Sequence, residues 1–308
     1  MKHPDLRRLT TEKSNPRSAN LDRKSSLEIA RIINAEDTKV AAAVKRALPQ
    51  IAQAIDLIAD SISRGGRLIY VGTGTSGRIA ALDAAEIPPT FDTNPRTVQF
   101  IIAGGTKALA KATESSEDSR QLGQKEMAKK KPGKNDVVVG ITASGRTPFT
   151  IAALRYAHAR GAKTVAVTCN RNSELATAAH IEIVAEVGPE VIAGSSRMKA
   201  GSAEKMILNM LSTGAMTRLG YVYGNLMVHL RLKNSKLVER GIGIVEAATG
   251  LNRSQAVKLL DSARNSVATA IVMAKANVKR PVAEAALRKS KGQVRIAIEI
   301  AKRKTHNP

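Results

Sequence analysis

The sequence has no tryptophan, four tyrosines and three phenylalanines, so aromatics make up 2% of its 308 residues. Its core must come from Ala, Ile, Val and Leu, which favours close helix–sheet packing over a β-sandwich. Hydrophobic residues reach 43%, enough for one large domain with a small appendage or for two modest domains. Cysteine is nearly absent. The single Cys169 excludes an internal disulfide, and no cluster has metal-ligand spacing. Cys169 itself reads as a small buried hydrophobe at a strand end. No apolar stretch follows the polar start Met1-Lys2-His3-Pro4-Asp5, as a secretory signal would require. No uncharged run approaches the roughly 20 apolar residues of a membrane span. A cytoplasmic location with no membrane partner is the expectation.

Acidic residues are also scarce. There are 26 against 49 Lys and Arg, for a formal charge of +23. Two readings compete: nucleic-acid binding, or a basic surface that attracts anionic small molecules. The basic residues are spread along the chain, and the denser runs Lys129–Lys131 and Lys302–Lys304 carry no interleaved aromatics. A stacking platform for single strands needs such aromatics. The pattern therefore argues against nucleic acid and for a small anionic substrate.

Residues 1–24 are polar, with Asn15-Pro16 as a breaker, and read as an N-terminal arm. Helical periodicity begins near Ser25 and continues through Val40, Val44 and Leu48. Past Pro49 it runs through Ile51, Ile55, Ile58 and Ile62 to Gly65-Gly66. Five short apolar runs follow: Leu68–Val71, Val98–Ala103, Val137–Ile141, Thr164–Thr168 and Ile181–Val187. Helical stretches around 78–85, 107–130 and 149–159 separate most of them. The alternation predicts an α/β fold, a three-layer αβα sandwich on a five-stranded parallel sheet. A further helix is expected over 202–219. Past Gly250, a small helical module takes its apolar positions from Leu251, Val257, Leu260, Val267, Ile271, Leu287, Val294 and Ile298, with Pro281 starting one helix. The expected domains are 1–24, 25–235 and 236–308.

Gly72-Thr73-Gly74-Thr75-Ser76-Gly77 follows the first run and matches G-x-G-x-x-G. A dinucleotide site would also need an acidic residue closing the second strand. Here that strand runs into Gly104-Gly105, and Asp92 follows Pro88-Pro89 in an expected loop. The segment is no Walker loop either, because Arg78-Ile79 stands where Lys-Ser/Thr should. What remains is a strand-to-helix turn whose N–H groups, with Thr75 and Ser76, could cradle a phosphate. A plain capped turn is the bland alternative. Thr142-Ala143-Ser144-Gly145-Arg146-Thr147-Pro148 repeats the chemistry after the third run, and Gly194-Ser195-Ser196-Arg197-Met198-Lys199 offers a third hydroxylated, basic segment. Open α/β sheets bind ligands at this edge.

The runs GTGTSGRIAALDAAEIPPTF (72–91), AGGTKALAKATESSEDS (103–119), VVVGITASGRTP (137–148) and GPEVIAGSSRMKAG (188–201) resemble the sugar isomerase domain. More narrowly, they resemble N-acetylmuramic acid 6-phosphate etherases. The resemblance runs from about Leu9 to the last helix. It implies cleavage of a D-lactyl ether from a sugar phosphate, a homodimer with active sites near the subunit interface, and no metal or cofactor. It also implies a C-terminal module resembling a ubiquitin-associated domain. The family's two functional glutamates fall on Glu86 and Glu117. By sequence alone both read more readily as solvated charges at helix ends, and the motif context reverses that reading. Thr73, Ala85, Ile87, Ser115-Ser116 and Ala193 depart from the family pattern.

Ether elimination needs an ionised base and a protonated acid at one pH, and different surroundings can split two carboxyl pKa values in this way. Glu86, ahead of Ile87-Pro88-Pro89, is expected to be the acid. Glu117, in the polar run 114–118, is expected to be the base. Thr75, Ser76, Ser144, Arg146, Thr147, Ser195, Ser196 and Lys199 are expected to hold the phosphate and sugar, with Glu190 as a substrate-hydroxyl ligand. Two other functions use the same loops. An aldose–ketose isomerase needs no acid for a leaving ether, and a sugar-phosphate-sensing regulator needs neither glutamate.

Overall fold

The computed structural model describes residues 9–111 and 116–306. Part of the expected helix over 107–130, and the expectations for 1–8, lie outside these residues. The chain forms two compact units, Met1–Ala85 with Arg96–Ser212, and Glu86–Pro95 with Thr213–Pro308. This boundary differs from the expected one at 236. Two continuous helices carry the chain from one unit to the other, so the hydrophobic periodicity shows no break there.

In the first unit, α1 (Ser26–Arg46) opens with a capping box between Ser25 and Glu28, which satisfies two otherwise unpaired N–H groups. Helix α2 (Leu48–Ser63) carries Pro49 in its first turn, where a missing N–H does no harm. Then come β1 (Leu68–Gly72), α3 (Gly74–Phe91), β2 (Val98–Ile102), α4 (Arg120–Lys130), β3 (Val137–Ile141), α5 (Pro148–Ala159), β4 (Lys163–Thr168) and β5 (Ile181–Val184). The strands are parallel, in the order β2-β1-β3-β4-β5. Both β1 and β3 are buried along their whole length, as strands covered on both faces are. Ile69, Val71 and Val138 share one core cluster with Phe149, Ile151 and Leu154 of α5, while α2 also packs on β1, β3 and β5. The chain goes from β1 outward to β2, then returns to β3 on β1's other side. That reversal places the turns after β1 and β3 side by side, at the position where doubly wound sheets bind ligands.

The described part of the N-terminal arm is not loose. It makes three short 3-10 turns, Thr10–Glu12, Pro16–Ser18 and Leu21–Arg23. The Thr10 N–H donates to Asn170 Oδ1 (2.9 Å), Asn15 Nδ2 to the Pro189 carbonyl (3.2 Å) and Ser18 Oγ to the Val191 carbonyl (2.7 Å). Composition alone could not reveal these bonds, because each partner is more than 150 residues away.

Helix α3 outlasts its expected span and includes Pro88 and Pro89 in its last turns. The expected loop there is helix up to Phe91. Helix α6 (Lys199–Arg218) leads into the second unit. A small hairpin, β6 (Val222–Tyr223) with β7 (Leu226–Met227), was not legible in the sequence. Then come α7 (Ser235–Thr249), α8 (Arg253–Ser262), α9 (Val267–Ala276), α10 (Arg280–Lys289) and α11 (Val294–His306). They pack around Val245, Leu260, Val267, Ile271, Val294 and Ile298, with Val257 and Leu287 partly buried against them. Pro281 sits in the first turn of α10, as its residue type suggested.

Candidate active site

The first loop leaves β1 at Gly72 and enters α3 at Gly74. Gly72 has no room for a side chain: a Cβ there would lie 3.0 Å from the Gly77 nitrogen and 3.2 Å from the Ile141 carbonyl. Gly74 has φ +48, and a Cβ on it would come within 3.2 Å of a Glu117 carboxylate oxygen. Glu117 therefore reaches the N-terminal end of α3, over the first loop. It is half-buried, and its carbonyl accepts the Phe149 N–H (3.0 Å), which ties it to the start of α5.

The second loop is a hydroxyl network. Thr142 Oγ1 lies 3.2 Å from Ser144 Oγ and 2.8 Å from Thr147 Oγ1, and the Arg146 N–H donates to Ser144 Oγ (3.2 Å). Its turn requires Gly145 at φ +70, where a Cβ would collide with Ser173 at 2.2 Å. Ser144, Arg146 and Thr147 are half-buried at the loop. The register Gly72↔Ile141 sets this loop beside the first. The third segment joins them through Gly201, whose absent Cβ would lie 3.2 Å from Thr75 Cγ2. Ser195 and Ser196 are half-buried, and the Ser196 carbonyl accepts the Gly201 N–H (3.1 Å). Thus the first unit gathers Thr75, Ser76, Ser144, Arg146, Thr147 and Glu117 at one edge of the sheet.

Three of the expected ligands are engaged within the protein. Glu190 is fully buried, and its two carboxylate oxygens accept the Lys199 and Ala200 N–H groups at 3.1 and 2.9 Å. It caps α6 rather than offering an oxygen to a sugar hydroxyl. Lys199 is 1% exposed, with its ammonium 2.6 Å from Glu36 Oε2. That ammonium is held inside the fold, so the phosphate role expected of it does not match its placement. Burial opposes charge on Glu36, but hydrogen bonds from Lys199, Lys39 and Asn15 outweigh it and hold the carboxyl at about 2. Ser76 is buried, with its Oγ 2.9 Å from Glu204 Oε1. The sequence reading missed Glu204. Its signal was a lone acid on the apolar stripe Ala200, Ala203, Ile207, Leu208 and Leu211 of α6.

Glu86 is the first residue of the second unit and is solvent-exposed on α3, with Leu82 and Ala85 exposed beside it. Upstream, α3 is held by Asp83, whose carboxylate accepts Tyr70 Oη (2.9 Å), Asn209 Nδ2 (2.7 Å) and Ser212 Oγ (3.0 Å). Among the described residues no three His, Cys, Asp or Glu gather as a metal site needs, and no helix is long and apolar enough to cross a membrane.

A parallel sheet in the order 2-1-3-4-5 with hydroxyl loops at its switch point fits a sugar isomerase (SIS) domain, and the family models identify it as one. The family model of the glucokinase regulatory protein N-terminal SIS domain matches residues 50–158, and that of the SIS domain matches 120–214. The chain belongs to the N-acetylmuramic acid 6-phosphate etherase family. It is 50% identical to N-acetylmuramic acid 6-phosphate etherase of Clostridium beijerinckii, covering 97% of this chain and 98% of that protein. It is 47% identical to N-acetylmuramic acid 6-phosphate etherase 1 of Bacillus licheniformis, covering 97% and 99%. With the etherase of Photorhabdus laumondii the identity is 49%, covering 96% and 98%.

Proposed function

We propose that the protein is a carbon–oxygen lyase that splits N-acetylmuramic acid 6-phosphate into N-acetylglucosamine 6-phosphate and D-lactate. The observation that carries this reading is the Glu117 carboxylate over Gly74, beside loops rich in hydroxyls, in a chain half-identical to etherases over almost its full length. An alkoxide is a poor leaving group. It departs from a carbon β to a carbonyl once the α proton is removed. In the open-chain sugar C1 is the aldehyde, C2 bears the acidic proton and C3 bears the lactyl ether. Glu117 takes the C2 proton, and Glu86 delivers a proton to the departing lactate oxygen. Water then adds across the C2–C3 double bond, with its hydroxyl on C3, so the net reaction is hydrolysis. Ser76, Thr75, Ser144, Arg146 and Thr147 grip the phosphate; Ser195 and Ser196 face the sugar. Glu190 and Lys199 act from behind, by fixing the start of α6. The protein works as a homodimer in the cytoplasm, on a small anionic substrate, without a metal or cofactor.

The test is incubation with the substrate in deuterated water. Wild type releases lactate. Glu86→Gln lacks the general acid, a loss of about 10²–10⁴ in rate, yet still exchanges deuterium into C2 of recovered substrate. Glu117→Gln loses exchange and release together. Full lactate release by both variants would end the proposal, and the opposite pattern of exchange would swap the two roles.

A further inference from the structure

Glu204 is a buried acid beside the first loop that the proposed chemistry leaves unused. It is 1% exposed on α6. Its Oε1 is 2.9 Å from Ser76 Oγ, and its Oε2 has no hydrogen-bond partner among the described residues. An ionised carboxylate in such a place would be a buried charge with one hydroxyl for company, which is strongly unfavourable. A carboxylic acid fits better, since an under-satisfied carbonyl oxygen is tolerated more often in protein interiors than an orphaned N–H and carries no buried charge.

Among the described residues, the groups around it supply no compensating cation. Cys169, after β4, is a titratable neighbour of Glu204, and burial pushes its thiol up, so it too brings no positive charge. Glu190 is occupied by α6 N–H groups. Lys199, on Glu204's own helix, is paired with Glu36. On α3, Asp83 is taken up by Tyr70, Asn209 and Ser212.

A hydroxyl has a single proton to give. If Glu204 is ionised, it accepts a hydrogen bond from the Ser76 hydroxyl, and the serine turns lone pairs toward any ligand. If Glu204 carries a proton on Oε1, it donates to Ser76 Oγ and frees the serine's own proton. We infer that Glu204 is a positioning residue which, as a carboxylic acid, donates to Ser76 and aims the serine hydroxyl proton at the substrate phosphate. Burial pushes the Glu204 carboxyl up to about 8 against the pull of the Ser76 bond, in keeping with this state. Phosphate binding then weakens on the alkaline side, because loss of the Glu204 proton turns a donor into an acceptor and places a negative charge behind it. The inference rests on the reading of Ser76 as a phosphate ligand.

The experiment is KM and kcat for N-acetylmuramic acid 6-phosphate from about pH 7 to 9.5, with inorganic phosphate as a competing inhibitor. The second ionisation of the sugar's phosphate monoester, at about 6, is nearly complete across this range; inorganic phosphate ionises higher, so its inhibition constant is expressed per dianion. Wild-type KM and the phosphate inhibition constant should both rise about tenfold or more, the scale of one hydrogen bond to a charged group, while kcat moves little. With Glu204→Gln, whose amide N–H donates at every pH, both constants should become flat. With Glu204→Leu, which cannot donate, both should be high at every pH, and Ser76→Ala should match it. An alkaline rise that persists in Glu204→Gln overturns the role of Glu204 and leaves Ser76 a ligand. A Ser76→Ala variant with unchanged phosphate inhibition overturns the phosphate reading of Ser76 itself. If Glu204→Gln does not fold, the same rise is sought in wild type and Ser76→Ala. Its survival in Ser76→Ala overturns the inference equally.

Discussion

Glu36 and Glu204 lie in the same unit, each 1% exposed, yet they end in opposite charge states. Glu36 on α1 meets the Lys199 ammonium at 2.6 Å and is also bound by Lys39. Glu204 on α6 meets a serine hydroxyl. Burial acts on both in the same direction, against charge. In one case two ammonium groups overturn it and the carboxyl sits at about 2; in the other nothing does and it sits at about 8. Burial alone therefore says little about the state of an acid; the partner decides. The division suits a phosphate site. The pair Glu36–Lys199 neutralises itself and anchors the start of α6, while the acid beneath the first loop stays uncharged and does not repel an anion.

The largest effect should come from breaking the paired acid. Glu36→Gln leaves the Lys199 ammonium buried without a counter-charge, and losing one partner of a buried pair costs about 3–5 kcal/mol. Urea unfolding at neutral pH should show that loss. Replacing both, with Glu36→Leu and Lys199→Met, should recover most of it, because the stranded charge is gone. A single variant as stable as wild type would mean that Lys199 finds solvent or another partner. Acid gives a second view. A carboxyl held below its usual value of 4.5 contributes stability above 4.5, and that contribution is lost as pH falls through about 2.

The unpaired acid predicts the opposite slope. Between 4.5 and about 8 the unfolded chain has released the Glu204 proton and the folded chain still holds it. Stability from this group therefore falls as pH rises, by about 1.4 kcal/mol per pH unit. Between about pH 5.5 and 7.5 that is roughly 3 kcal/mol. Glu204→Gln should remove this slope, seen as a flatter plot of unfolding free energy against pH. An unchanged slope would move Glu204 into the class of Glu36.

Both acids also show what the sequence could reveal. The five strands, their parallel alternation and the two hydroxyl loops were legible because strands buried on both faces read as short apolar runs. The switch-point placement of Thr75, Ser76, Ser144, Arg146 and Thr147 followed from that topology. The extent of α3 was not legible: Pro88 and Pro89 read as a break, yet a helix tolerates them in its last turns when packing holds it. The unit boundary was hidden inside α3 and α6. Glu190 and Lys199 sit in a motif that looks like a ligand loop, and their burial depends on residues 36, 199 and 200 meeting in space. Long-range partners of this kind leave no local pattern.

A third buried acid sharpens the comparison with the smallest expected effect. Glu190 has neither ammonium nor hydroxyl; its oxygens accept two backbone N–H groups at the start of α6. Burial raises its carboxyl above 4.5 despite those bonds and the Lys199 charge, so neutral donors offset burial less well than ammonium groups do. Glu190→Gln keeps the shape and one acceptor oxygen but turns an amide N–H₂ toward the second N–H. One buried donor is left unpaired, a loss of about 1–2 kcal/mol. Urea unfolding at neutral pH should rank Glu190→Gln below Glu36→Gln in damage, with α6 still formed. Equal losses in the two variants would mean that the charge of Glu190, and not its place as a helix cap, is what α6 requires. The contrast between Glu36 and Glu204 could then no longer be traced to lysine partners alone.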